Sequence, residues 1–275
     1  MTGLSGKVAW ITGGGSGIGE AGARALAEAG ATAVVSGRGE AEIDRVAESI
    51  RSGGRRAEAV PVDVSDPNSV RMTTDGVLAR HGRIDILVAS AGTNIARRDW
   101  KDLTPEGWDE VLQVDLSGVT YSILAVLPGM RARKEGTVVI VSSWSGRFPA
   151  KAVGPAYNAA KSALLALGQS FNMEEGTNGL RACVVMPGEV ATPLLKKRPV
   201  PPPQEEMDRM LQPDDLGRTI RFLAELPPRV CVNEILISPT WNRAFLGGEE
   251  LTRRQPPRST RSTRGAKSRS KGVGQ

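Results

Sequence analysis

The sequence predicts an α/β protein: a single-domain, doubly wound parallel sheet of about seven strands with helices on both faces. Three observations predict it. Strand-like apolar runs alternate with amphipathic helical stretches through most of the chain, as parallel strands joined by helical crossovers must. A glycine cluster falls between the first apolar run and the first helical stretch. The length of 275 residues suits one core of this kind.

Taken in order, strands are expected over 8–12, 32–36, 57–62, 84–90, 136–142, 181–186 and 234–237. Helices fall between them, the longest about 108–133 and about 156–175, and no internal repeat is visible. Residues 193–203 hold five prolines together with Lys196, Lys197 and Arg198, so they cannot be sheet and are expected to form an exposed connection, a candidate lid. The folded domain is expected to span 1–246, with 247–275, rich in Arg, Ser, Thr, Gly and Pro, a basic disordered tail.

An apolar share of 40% and a charged share of 24% exclude global disorder and a membrane class. With no signal-like N-terminus and no uninterrupted apolar stretch of roughly 18 residues, a cytoplasmic location is expected. The net charge of +6 does not make the body a nucleic-acid binder. Residues 247–275 carry eight basic and two acidic side chains, 8 − 2 = +6, so 1–246 is neutral overall. Nucleic acid is therefore not an expected partner, except through the tail as a tether. The sole histidine, His81, precedes Gly82 at an expected helix end, which excludes histidine triads and multi-His metal sites. Cys183 and Cys231 lack metal-like spacing and read as small core residues in buried strands. No metal is expected.

The run from Lys7 to Ile11 leads into Thr12-Gly-Gly-Gly-Ser-Gly-Ile-Gly19, and a helix follows. A dinucleotide pyrophosphate needs this succession, because glycines allow close backbone approach and a helix N-terminus offers free N–H groups at a positive dipole end. Gly13, Ser16, Gly17, Ile18 and Gly19 are the candidate contacts. No acid follows the second strand to hold ribose hydroxyls; Ser36-Gly37-Arg38 stands there, and Arg38 can pair with a 2′-phosphate. NADP is therefore favoured over NAD. On a helix, Tyr157 and Lys161 share one face four residues apart, and positive charge from Lys161 and from an oxidised nicotinamide is expected to pull the phenol below its usual value near ~10.

The spacing TGxxxGxG over Thr12–Gly19 resembles that of the classical short-chain dehydrogenases/reductases, and the resemblance runs over about residues 4–240. It implies a single Rossmann domain. Asp63-Val64 matches the family's adenine-contacting pair, and Ala89-Ser90-Ala91-Gly92 stands in the place of its Asn-Asn-Ala-Gly turn. Pro187-Gly188, with Val190 and Thr192, matches the segment around the nicotinamide carboxamide. Tyr157 to Lys161 matches YxxxK, and Ser142-Ser143-Trp144-Ser145-Gly146 matches SSxxG. The resemblance implies hydride transfer between a nicotinamide cofactor and a ketone or secondary alcohol. In it, Tyr157 is general acid/base, Ser143 holds the substrate oxygen, and Lys161 steadies the tyrosine and the nicotinamide ribose.

Two positions depart from the family. Asp115 stands where the family has an asparagine that anchors a water beside the lysine, and Ser90 replaces another asparagine. Asp115 is kept as a member of the proton relay. These departures also motivate an alternative: a regulatory or sensor protein on the same fold that binds cofactor without turnover. Thr93, Asn94, Trp144, Arg147, Glu189 and the 193–211 connection are candidate walls of a small-molecule pocket. Lys196 to Arg198 can attract an acidic group, though a short charge run is commonly solvated. As in the family, the long helices from Trp108 and Ala156 are expected to pair with their copies in a homodimer or homotetramer.

Overall fold

The seven strands are Val8–Thr12 (β1), Thr32–Gly37 (β2), Ala57–Pro61 (β3), Ile86–Ala89 (β4), Gly136–Val141 (β5), Leu180–Pro187 (β6) and Glu234–Ile237 (β7). All pair in parallel, in the order β3-β2-β1-β4-β5-β6-β7. The computed structural model describes residues 3–198 and 201–242, without the side chains of Lys196 and Lys197. The expected tail, the end of the expected domain at 243–246 and the proposed attraction by Lys196 and Lys197 lie outside the described residues.

Alternation along each strand sends neighbouring residues to opposite faces and so builds two cores. Ile11, Val35, Val88, Val139 and Val185 pack on one side with helices Gly17–Glu28 (α1), Glu40–Ser52 (α2) and Pro213–Glu225 (α9). Trp10, Val34, Leu87, Val138 and Val184 pack on the other with Pro67–His81 (α3), Gly118–Arg133 (α5) and Pro155–Glu175 (α7). Trp10 is fully buried and satisfies its indole N–H on Ser36 Oγ at 3.0 Å.

The expected strand 84–90 shortens at both ends. The buried Asp85 carboxylate accepts from the Val8 backbone N–H at 2.9 Å, while Ser90 turns back so that its N–H reaches the Val88 carbonyl. The expected long helix begins at Pro105, with Thr104 Oγ1 accepting from Gly107 N at 3.2 Å as its cap. It runs as Pro105–Leu112 (α4), a π-helical turn Gln113–Ser117, and α5. By length and composition this run, Pro105–Arg133, is apolar enough to cross a membrane, although charged and polar residues interrupt it. Val114, Val119, Ile123, Val126 and Met130 instead join the core on the sheet.

Cys231 corrects the reading of two strand cysteines. Cys183 is buried on β6, where burial pushes its thiol up to about 12, but Cys231 is exposed before β7. The chain turns there, with Val230 N donating to Pro227 O, and the ladder with β6 starts only at Glu234. The proline-rich connection is likewise not wholly exposed. Pro193–Lys197 forms a short 3-10 helix with Leu195 buried, and Leu211 returns to bridge Val190. The remaining helices are Trp144–Arg147 (α6) and Gln204–Met207 (α8).

Candidate active site

Crossovers leave β1 and β4 in opposite directions, so a crevice opens between their carboxyl ends. The glycine loop lies at that point. Gly13 has φ +67°, and a Cβ there would sit 2.7 Å from the Ala91 backbone, so the loop packs directly on the turn after β4. Gly19 is tighter still, since a Cβ would lie 2.2 Å from the Gly13 carbonyl oxygen. Ser16 precedes α1 with extended backbone, and its side chain caps no N–H, which leaves the first-turn donors of α1 for another acceptor. The partly buried Ile18 packs on the adjoining core.

The other expected nucleotide-site residues gather on the same edge. Thr192 faces Gly17, whose Cβ would meet the Thr192 methyl at 3.0 Å. Pro187 ends β6, Gly188 N donates to Ile237 O at 2.7 Å, and Val190 is buried. Asp63 accepts from Ser65 Oγ at 2.7 Å and Ser65 N at 3.0 Å; with Arg38 nearby, these hold its carboxyl below the usual range despite partial burial. Val64 is buried against Gly118. Arg38 is exposed just past β2.

Tyr157 and Lys161 lie on the first turns of α7, with the Lys161 ammonium 5.5 Å from the centre of the phenol ring. Ser143, just past β5, lies close enough to Tyr157 to favour its phenolate. Ser143 Oγ also accepts from Ser145 N at 3.1 Å, which caps α6. Ser142 serves the fold instead, because its hydroxyl donates to the Lys161 carbonyl at 2.7 Å and ties β5 to α7. Lys161 Nζ donates to Val141 O at 3.3 Å and pairs with Asp115 Oδ2 at 3.3 Å. Both ends of that ion pair are almost wholly buried. The π-helical turn carries Asp115 inward, and its Oδ1 accepts from Thr93 N at 2.6 Å. Gly92 sits over the pair.

Lys161 does act to lower Tyr157, yet for the protein alone the balance runs the other way. Burial drives the phenol above its ordinary value, and the Asp115 carboxylate adds to that, outweighing the pull of Lys161, Ser143 and Arg198. Burial pulls Lys161 down, but Asp115 and Tyr157 together raise it, so its charge is locked on.

The expected pocket walls divide. Asn94 is spent on structure: its Nδ2 donates to Val153 O at 3.0 Å, and its Oδ1 accepts from Ile95 N. Arg147 is engaged with Glu234 of β7, and Trp144 stacks with Phe148 at 5.2 Å. Glu189 accepts from Arg198 at 2.7 Å. Two arginines escaped sequence reasoning. Arg45 on α2 donates to the Gly15 carbonyl at 3.1 Å while held by Glu20. Arg98 is buried near Tyr157. Arg98 sits in an irregular loop where no periodicity marks a buried position.

A doubly wound seven-stranded sheet with a glycine loop at its switch point defines a Rossmann-type protein. The short chain dehydrogenase family profile matches residues 7–201, and the chain belongs to that family. It is 34% identical over 235 residues to cis-4-hydroxycyclohexanecarboxylate dehydrogenase of Sinomonas cyclohexanicum, covering 84% of this chain and 94% of that one. It is also 34% identical over 251 residues to glycine betaine reductase ATRR of Emericella nidulans, taking in 86% of its own length but 19% of that protein's. A metagenomic short-chain oxidoreductase solved in complex with NADP is 31% identical and superposes with a TM-score of 0.76, over 86% of this chain and 98% of that one.

Proposed function

We propose that the protein moves a hydride between a nicotinamide cofactor and a ketone or secondary alcohol of a small organic molecule. One observation carries the reading: Tyr157, Lys161 and Ser143 converge on the sheet edge that bears the glycine loop. The loop fits a dinucleotide, being packed too closely for side chains and ending at helix donors that no side chain caps. Gly13, Ser16, Gly17, Ile18 and Gly19 would hold the pyrophosphate, Asp63 and Val64 the adenine, and Ser90 and Gly92 the adjoining ribose region. Pro187, Gly188, Val190 and Thr192 would hold the carboxamide. The bound cofactor supplies or accepts the hydride.

In reduction, Ser143 donates a hydrogen bond to the carbonyl oxygen and Tyr157 delivers the proton to that oxygen. Lys161, whose charge is locked on, steadies the phenolate left behind and would also bind the nicotinamide ribose. Oxidation runs the same proton from the alcohol to Tyr157. The exposed Arg38, with no acid at the end of β2, supports NADP over NAD. Fluorescence titration is expected to show tighter binding of NADPH; a preference for NADH would overturn that assignment. Apolar side chains such as Leu124 on α5 and Met173 on α7 are exposed, supporting a homodimer or homotetramer, which a monomer mass in light scattering would contradict.

Asp115 acts as a positioning residue: it holds the charge on Lys161, and its own carboxylate pushes Tyr157 upward. Because the phenol is raised, alcohol oxidation, which needs phenolate, should still climb at alkaline pH, while carbonyl reduction, which needs phenol, is fully primed at neutral pH. Asp115→Asn removes the negative charge that raises Tyr157, so the oxidation limb of the pH–rate profile should move to lower pH with activity retained or increased. A large loss, or an unmoved limb, would contradict this role. The buried Asp115 to Lys161 ion pair also favours the second reading, a cofactor sensor without turnover. That reading predicts NADPH binding with no turnover of any ketone or alcohol in a broad panel, and a Tyr157→Phe variant that functions normally.

A further inference from the structure

Beside the glycine loop, one carboxylate holds two arginines whose further contacts differ. Glu20 sits on the first turn of α1, where an unpaired negative charge would repel a phosphate at that helix's N-terminus. Arg24 reaches it from the next turn of α1 at 2.8 Å, and Arg45 from α2 at 2.7 Å. Burial pushes the Glu20 carboxyl up, but Arg45 and Arg24 outweigh that and hold it below its ordinary range. Both arginines tie α1 to α2, Arg24 by donating to Ser49 Oγ at 2.9 Å and Arg45 through Glu20 itself. Arg45 alone of the two goes on to the loop, where its Nη2 donates to the Gly15 carbonyl at 3.1 Å.

That bond sets the orientation of one peptide. The run Gly13-Gly14-Gly15 has no side chains to grip, so only its backbone can be held. In a planar trans peptide a carbonyl and the following N–H point in opposite directions. Holding the Gly15 carbonyl toward α2 therefore turns the Ser16 N–H away from α2. That N–H takes no partner among the described residues. Packing agrees with this division of the loop. A Cβ at Gly15 would lie 3.0 Å from the Glu42 Cβ, so α2 rests directly on the loop there, whereas Gly17, just past Ser16, faces Thr192. The Ser16 N–H thus joins the uncapped first-turn donors of α1 as a group available to an anion.

We infer that Arg45 is a positioning residue for the cofactor: by holding the Gly15 carbonyl it presents the Ser16 N–H to a bound dinucleotide. The inference rests on the dinucleotide reading above. The test measures NADPH and NADH affinity by fluorescence titration, beside thermal melting, in the full-length protein and in Arg45→Gln, Arg45→Lys and Arg24→Gln. Arg45→Gln is expected to weaken NADPH binding about 10-fold, the scale of one hydrogen bond from a charged donor. The KM for cofactor should rise by the same factor, with kcat unchanged for any ketone the protein reduces. Arg24→Gln is the control, because it also loosens α1 from α2 yet leaves Arg45 on both Glu20 and the loop. It should melt at a similarly lowered temperature but keep NADPH affinity within about twofold. In each Gln variant the other arginine still neutralises Glu20, so the two differ in the loop contact. Arg45→Lys, with a single nitrogen to share between Glu20 and Gly15, should fall between wild type and Arg45→Gln, and it carries the test if the Gln variant does not fold. If both Arg45 variants bind NADPH like wild type, or Arg24→Gln loses as much affinity as Arg45→Gln, Arg45 serves packing alone and the dinucleotide site stands. A wild-type protein that binds neither NADPH nor NADH overturns both.

Discussion

Tyr157→Phe lowers turnover of any accepted ketone by about 10²–10⁴-fold while leaving cofactor affinity within a few-fold. The substitution removes one hydroxyl. The ring remains beside the Lys161 ammonium, and Lys161 keeps its bonds to Val141 O and Asp115. What disappears is the hydroxyl that would carry the proton and that lies beside Ser143. Its effect should therefore fall on kcat, because the proton moves only as the transition state forms. Steady-state kinetics together with NADPH titration of the same sample check it. A variant keeping more than about a tenth of wild-type turnover would remove Tyr157 from the chemistry.

Gly19→Ala removes cofactor binding, with an affinity loss of about 10²-fold or more expected from displacement of the loop by even ~1 Å. The added methyl would stand 2.2 Å from the Gly13 carbonyl oxygen and 2.8 Å from its carbon, both backbone atoms, so no side chain can turn aside. The loop must open, and Gly13 carries it away from Ala91 and the turn after β4. Gly176→Ala is the matched control, because its Cβ meets nothing within 4 Å. Calorimetric titration with NADPH, beside thermal melting of both variants, separates loss of the site from loss of the fold. Normal NADPH affinity in Gly19→Ala would move the dinucleotide site away from this loop.

All seven strands were legible to within a few residues, and the ends that slipped did so where long-range bonds intervene. Asp85 leaves the strand pattern because its carboxylate serves the β1 backbone, and Cys231 lies outside β7 because the register with β6 starts at Glu234. The glycine loop, the YxxxK pair and the serine before α6 are local patterns, readable because turn sterics and helical periodicity act over a few neighbours. They determined by themselves the fold and the family. Only the tertiary structure decided the electrostatics. Lys161 pulls Tyr157 down as its spacing predicts, but for the protein alone burial and Asp115, 42 positions away in sequence, outweigh it. The same is true of Arg98, an unremarkable loop residue until the chain folds Gly154 onto it. Burial and charge pairing depend on what distant segments bring within a few ångströms, and no local spacing encodes that.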